Sequence, residues 1–152
     1  MRVFRIAKAR YISDLSGTGA RLSGGRWNRQ GISIVYTSSS RALATVEYLV
    51  HVPAAIIPRN LSIAAIDIPD DIAAEKIEIT DLPENWRHHP APPELVEIGG
   101  NWALSGKSLL LQVPSAVVEG EYNVLINPTH PDMGTIMIAE VQPYVFDERL
   151  RR

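Results

Sequence analysis

Short β-branched runs and helical stretches follow one another along this 152-residue chain without a regular alternation. A doubly wound α/β fold needs strand and helix to take turns, so this order points to an α+β fold. The expectation is a single compact domain over residues 1–152 with mixed or antiparallel sheets. The patterning predicts strands over residues 3–6, 32–37, 61–68, 76–79, 108–113 and 122–126, with 135–141 and 144–146 completing the sheet. It predicts a helix over 41–51, where Ala42, Leu43, Val46, Leu49 and Val50 recur at helical spacing. Ser38, Ser39 and Ser40 offer its N-cap and Pro53 its stop. A second helix is expected over 94–105, weakened by Gly99-Gly100. Residues 13–31 read as a glycine- and serine-rich loop. Residues 80–93, with Pro83, Pro90, Pro92 and Pro93, read as a loop with a short helical turn.

Composition narrows the partners. Hydrophobic residues make up 45% of the chain and charged residues 21%, as in an ordinary globular domain. Lys+Arg number 15 against 17 Asp+Glu, so the basic excess that holds nucleic acid is lacking. With no cysteine, disulfides, thiolate metal sites and a cysteine nucleophile are all excluded. No apolar run approaches the ~18 residues of a membrane span, and the N-terminus has no apolar core of signal-peptide length. A cytoplasmic protein without direct membrane or nucleic-acid partners is expected.

Several polar residues stand in informative places. Arg26 follows Gly24-Gly25 in the flexible loop, where a guanidinium can take a phosphate bidentately; a surface arginine beside a turn is the plainer local explanation. Arg5 lies in the first strand on the same face as Val3, and locally a solvated strand face explains it. Glu47 falls at the edge of the apolar stripe of its helix, from where a carboxylate can reach into a cleft. Tyr36 ends its strand just before the serine-rich turn, as a pocket wall or a core tyrosine. Ser115 after Pro114 is a candidate ligand for a phosphate or ribose oxygen. No G-x-S-x-G elbow surrounds it, so a serine-hydrolase nucleophile is not indicated. Asn127 before Pro128 either shapes a pocket floor or ends a strand. His51 closes the helix that carries Glu47, where a cation favours the dipole. His88 and His89 are adjacent, and His130 and Asp132 flank Pro131, so no metal-ligand spacing emerges. The glycines make no Rossmann fingerprint.

Four segments in order carry a family resemblance: Ser23-Gly24-Gly25-Arg26-Trp27-Asn28; Val35-Tyr36-Thr37-Ser38; the helix from Ala42 to His51; and Val113-Pro114-Ser115 with Asn123-Val124-Leu125-Ile126-Asn127-Pro128-Thr129-His130-Pro131. Together they resemble the RES domain, named for its Arg, Glu and Ser. Residues 53–100 match least. The resemblance implies a fold similar to ADP-ribosyltransferases and diphtheria-toxin-like enzymes. It implies a type II toxin, paired with an Xre-type helix-turn-helix antitoxin that blocks the NAD pocket. It also implies an enzyme that depletes NAD by hydrolysis or phosphorolysis, or else transfers ADP-ribose to a protein. NAD is then substrate, and no cofactor is called for. On this resemblance Arg26, Glu47 and Tyr36 are expected to be catalytic. Arg5, Ser115 and Asn127 would bind NAD, and His51 would stand behind them. A non-catalytic partner-binding module is the remaining reading, disfavoured by the intact motif set. A toxin homodimer is compatible with the sequence, which does not decide it.

Overall fold

The computed structural model describes residues 1–151. Its strands are β1 (Arg2–Lys8), β2 (Val35–Ser38), β3 (Leu61–Asp67), β4 (Ala74–Lys76), β5 (Leu110–Pro114), β6 (Tyr122–Ile126) and β7 (Met137–Tyr144). Its helices are α1 (Thr18–Ser23), α2 (Arg41–His51) and α3 (Pro93–Ser105), with four short 3-10 turns among these elements and a fifth after β7. One seven-stranded sheet organises the chain in the order β4-β5-β6-β2-β1-β3-β7. All neighbours are antiparallel except β4 and β5, so the expected α+β fold with a mixed sheet is borne out.

The strands alternate their side chains between two apolar layers. Val3, Val35, Ala64, Ile66, Leu110, Val124 and Ile126 face one layer, closed by Ile12, Ile68 and Leu109. Leu111, Val113 and Leu125 face the other, where Leu95, Trp102 and Ala103 of α3 pack with Trp27, Ile34 and Trp86. Helix α2 lies on this second face as well, its Arg41 guanidinium 4.9 Å from the Phe4 ring centroid. The expected cap of α2 is Ser40, whose side chain accepts from the Leu43 N–H. Such a cap contributes about 1 kcal/mol.

Four segments depart from the sequence expectation; the strand expected over 32–37 starts only at Val35 and runs to Ser38. Residues 13–31 contain the six-residue helix α1 within the loop. The strand expected over 76–79 is displaced to Ala74–Lys76, where it pairs in parallel with β5. Residues 135–141 and 144–146 do not make two strands; β7 runs through Gln142 and Pro143, which pair with Ile63 and Ser62. Pro143 breaks nothing because β7 is the sheet edge, where a missing N–H leaves no ladder bond unmade. A bulge between Ala65 and Ile66 takes up the register.

Gly99 also has a role its helix propensity does not reveal. A Cβ built there would lie 1.9 Å from the Trp27 carbonyl oxygen, so the glycine lets the loop that carries Arg26 lie directly on α3. Gly99→Ala is therefore expected to destabilise the protein by about 3 kcal/mol or more through overpacking. Gly19→Ala, in α1 with nothing within 4 Å of a new Cβ, is expected to be neutral or slightly stabilising. Urea unfolding of the two variants checks the contrast.

Candidate active site

The site is assembled on the face of the sheet that α2 and α3 share. Ser38 pairs with Asn123 and Tyr36 with Leu125, so β2 and β6 present Tyr36, Ser38 and Asn123 on one side with Leu125. Ser115, just past the end of β5, follows Val113 on the same side. Glu47 reaches down to this row from α2. Its Oε1 accepts from the Ser115 hydroxyl at 2.6 Å and from Asn123 Nδ2 at 2.7 Å. Among the described residues Oε2 accepts no hydrogen bond. Ser115 is itself held, because its Oγ accepts from the Val117 and Val118 N–H groups at 3.1 and 3.0 Å. The serine is 1% exposed, and its proton goes to the carboxylate.

Arg26 lies within electrostatic reach of Glu47. Burial pulls its pKa down, while the charge of Glu47 opposes the shift. A guanidinium so placed stays charged. Nη1 donates to the Trp86 carbonyl at 2.8 Å and Nη2 to that of His88 at 3.1 Å, which ties the proline-rich loop to the site. Of the five guanidinium N–H groups, three then remain for an anion. A cavity of ≈ 170 Å³ opens beside Ser115, walled in part by Ile79, Trp86, Pro114 and Tyr122. Glu119 and Glu121 also line it, whereas Glu47, Arg26 and Asn123 do not, so it adjoins the carboxylate group at Ser115.

Tyr36 is placed differently from a free stacking platform. Its hydroxyl donates to Asn28 Oδ1 at 2.6 Å and accepts from the Trp27 N–H at 3.1 Å. Burial pushes its phenol well above the ordinary tyrosine range, with the Trp27 N–H and Arg26 opposing, so it stays neutral. Asn28, 1% exposed, lies with Nδ2 at 2.8, 3.2 and 3.0 Å from the carbonyl oxygens of Ala20, Arg29 and Ile32. A Cβ at Gly25 would stand 2.8 Å from the Tyr36 hydroxyl, so the glycine beside Arg26 is what lets this bond form. Tyr36 and Asn28 thereby fix the backbone that carries Arg26.

The remaining candidates fall elsewhere. Arg5 shares the face of Val3, opposite to Tyr36 and Glu47, and its Nη1 donates toward the carbonyls of Tyr11, Ile12 and Asp14 at 3.1, 2.8 and 3.0 Å. Burial lowers its pKa, and Asp14 opposes the shift. Its geometry is that of a clasp on the loop after β1. Asn127 is buried at the far end of β6, about 13 Å along the strand from Asn123 at ~3.3 Å per residue. Its Nδ2 donates to the Ala103 carbonyl at 3.0 Å, and its Oδ1 accepts from the N–H and hydroxyl of Thr129. It joins β6 to α3 and does not reach the carboxylate. His51 lies one helical turn beyond Glu47 and is exposed. Asn28 and Asn123 were within the recognised segments without a role of their own; only the register across β2 and β6 identifies Asn123. Among the described residues no group of three or more His, Asp or Glu side chains stands together as a metal site, and no helix is long and apolar enough to cross a membrane.

Tyr36→Phe tests the hydroxyl. The variant leaves Asn28 Oδ1 and the Trp27 N–H unpaired in a buried setting, and a loss of about 1–3 kcal/mol is expected in urea unfolding. A purely stacking tyrosine would show no such loss.

The RES domain model matches residues 2–147. A Sphingobium sp. (strain YBL2) protein named Prs ADP-ribosylating toxin is 40% identical, covering 99% of this chain and 95% of that protein. Toxin Res of Yersinia enterocolitica is 39% identical over 99% of this chain and all of that protein. Toxin Res of Photorhabdus laumondii is 39% identical over 87% of this chain and 85% of its own. Among solved structures, a chain of the M. tuberculosis MbcT–MbcA toxin–antitoxin complex superposes with a TM-score of 0.75 at 20% identity, covering 95% of this chain and 84% of its own. At that identity the likeness is one of fold. Matched from β1 to the end of the sheet, and with relatives near 40% identical along almost its whole length, the chain belongs to the RES domain family.

Proposed function

We propose that this protein is the toxin of a toxin–antitoxin pair and consumes NAD by breaking the bond between nicotinamide and ribose. The observation that carries the reading is Glu47, a carboxylate fixed through Oε1 and within electrostatic reach of Arg26. Nicotinamide leaves NAD as a neutral base from a cationic pyridinium, so no general acid is required for its departure. The electron pair of the C1′–N1 bond goes to the ring nitrogen, and positive charge develops on the ribose. Oε2 of Glu47 would accept hydrogen bonds from the ribose hydroxyls and stabilise that charge. The open N–H groups of Arg26 would hold the pyrophosphate. Water, phosphate or a protein side chain then bonds to C1′ and gives up its proton.

Transfer of ADP-ribose to a protein is the second reading, supported by the name of the Sphingobium relative. The two share every step up to the attacking group. The partner we propose is an Xre-type helix-turn-helix antitoxin that presents a carboxylate to Arg26 and closes the mouth of the site, in the cytoplasm where NAD is held. The likeness to a chain of a toxin–antitoxin complex supports such a partner.

Purified protein incubated with NAD is expected to release nicotinamide, with free ADP-ribose or its phosphate marking cleavage and labelled protein marking transfer. Glu47→Gln is nearly isosteric. Its turnover is expected to fall by about 10²–10³ and NAD affinity by much less, because the carboxylate charge it removes acts chiefly on the positive charge that develops as the bond breaks. Arg26→Ala removes a contact made in both states, so affinity and turnover fall together. A folded Glu47→Gln variant that turns NAD over at the wild-type rate overturns the assignment.

A further inference from the structure

We propose that Asn123 is the positioning residue that fixes the orientation in which the Glu47 carboxylate meets the substrate. The inference rests on the reading of Glu47 as the reacting carboxylate. Glu47 is half-buried on α2, and its side chain makes its hydrogen bonds to residues outside that helix. Two donors arrest it, and both address the same oxygen. The Ser115 hydroxyl comes from just past the end of β5 and Asn123 Nδ2 from β6. With one donor, the carboxylate can still turn about that contact; a second donor on Oε1 fixes its plane.

The orientation of the Asn123 amide is itself determined. Ser38, its register partner on β2, donates from Oγ to Asn123 Oδ1 at 2.8 Å. A flipped amide would set Oδ1 against the Glu47 carboxylate, acceptor against acceptor, so only one orientation satisfies both neighbours. The relay thus runs from Ser38 through Asn123 to Glu47, and it crosses from β2 to β6 to α2. Neither the helix nor either strand contains it alone.

Asn123→Ala, Asn123→Asp and Ser38→Ala in the full chain test the role. Asn123→Asp keeps the shape but, ionised, has no N–H to donate. Both Asn123 variants are expected to lose about ten- to a hundredfold in kcat with NAD affinity within about twofold of wild type, and Ser38→Ala to lose less. Crystal structures of the unliganded Asn123 variants are expected to show the Glu47 carboxylate in more than one orientation, against one in the wild type. An Asn123→Asp protein with wild-type kcat overturns the proposal, as does a carboxylate that keeps its single orientation in both variants. If the wild type consumes no NAD at all, the functional reading fails instead, and the carboxylate orientations still decide the role of Asn123.

Discussion

In β2, β5 and β6 each successive side chain turns to the opposite face, and the site depends on that alternation. Val35, Leu110, Val124 and Ile126 lock the strands into one apolar layer. The residues between them are thereby committed to the other face, where Tyr36, Ser38, Asn123 and Ser115 stand beside Leu111, Val113 and Leu125. A one-residue slip of β6 against β2 would invert its row and send Asn123 into the apolar layer. The core therefore enforces the register, and the register gives the carboxylate of α2 its partners.

Polar groups on a face this buried are stable only when nearly every donor and acceptor is used. Asn28 binds carbonyls of three residues and the Tyr36 hydroxyl. Ser115 accepts twice and donates once. Against that background the open Glu47 Oε2 and the remaining N–H groups of Arg26 are conspicuous. Arg26 and Glu47 are also within electrostatic reach of each other. The glycines serve the same economy of space: Gly25 admits the Tyr36 hydroxyl, and Gly99 admits the Trp27 carbonyl.

Much of this was legible residue by residue. Helix α2 and strand β6 occupy the predicted bounds, because capping serine, helical spacing, β-branched runs and a terminal Asn-Pro are local signals. Arg26, Glu47, Tyr36 and Ser115 do converge. Arg5 and Asn127 do not join them, and the reason is directional. Arg5 shares a face with Val3, and Asn127 lies four residues beyond Asn123, so strand geometry carries both away from the carboxylate. Asn28 and Asn123 are not legible in the sequence, because a buried asparagine has no local signature; Glu47, the partner of Asn123, is distant in the chain.

The sequence by itself determined the fold class, the family and the helix that bears Glu47, since these follow from order, spacing and local propensity. Tertiary structure alone decided which face each side chain serves, that Gly99 is a contact and not a defect, and that Arg26 fastens the proline-rich loop. It also decided that a single oxygen of Glu47 is held while the other is free. These are properties of pairs of atoms from segments 60 to 76 positions apart in the chain. No local pattern encodes such distances; only the packed sheet brings the segments within hydrogen-bond reach.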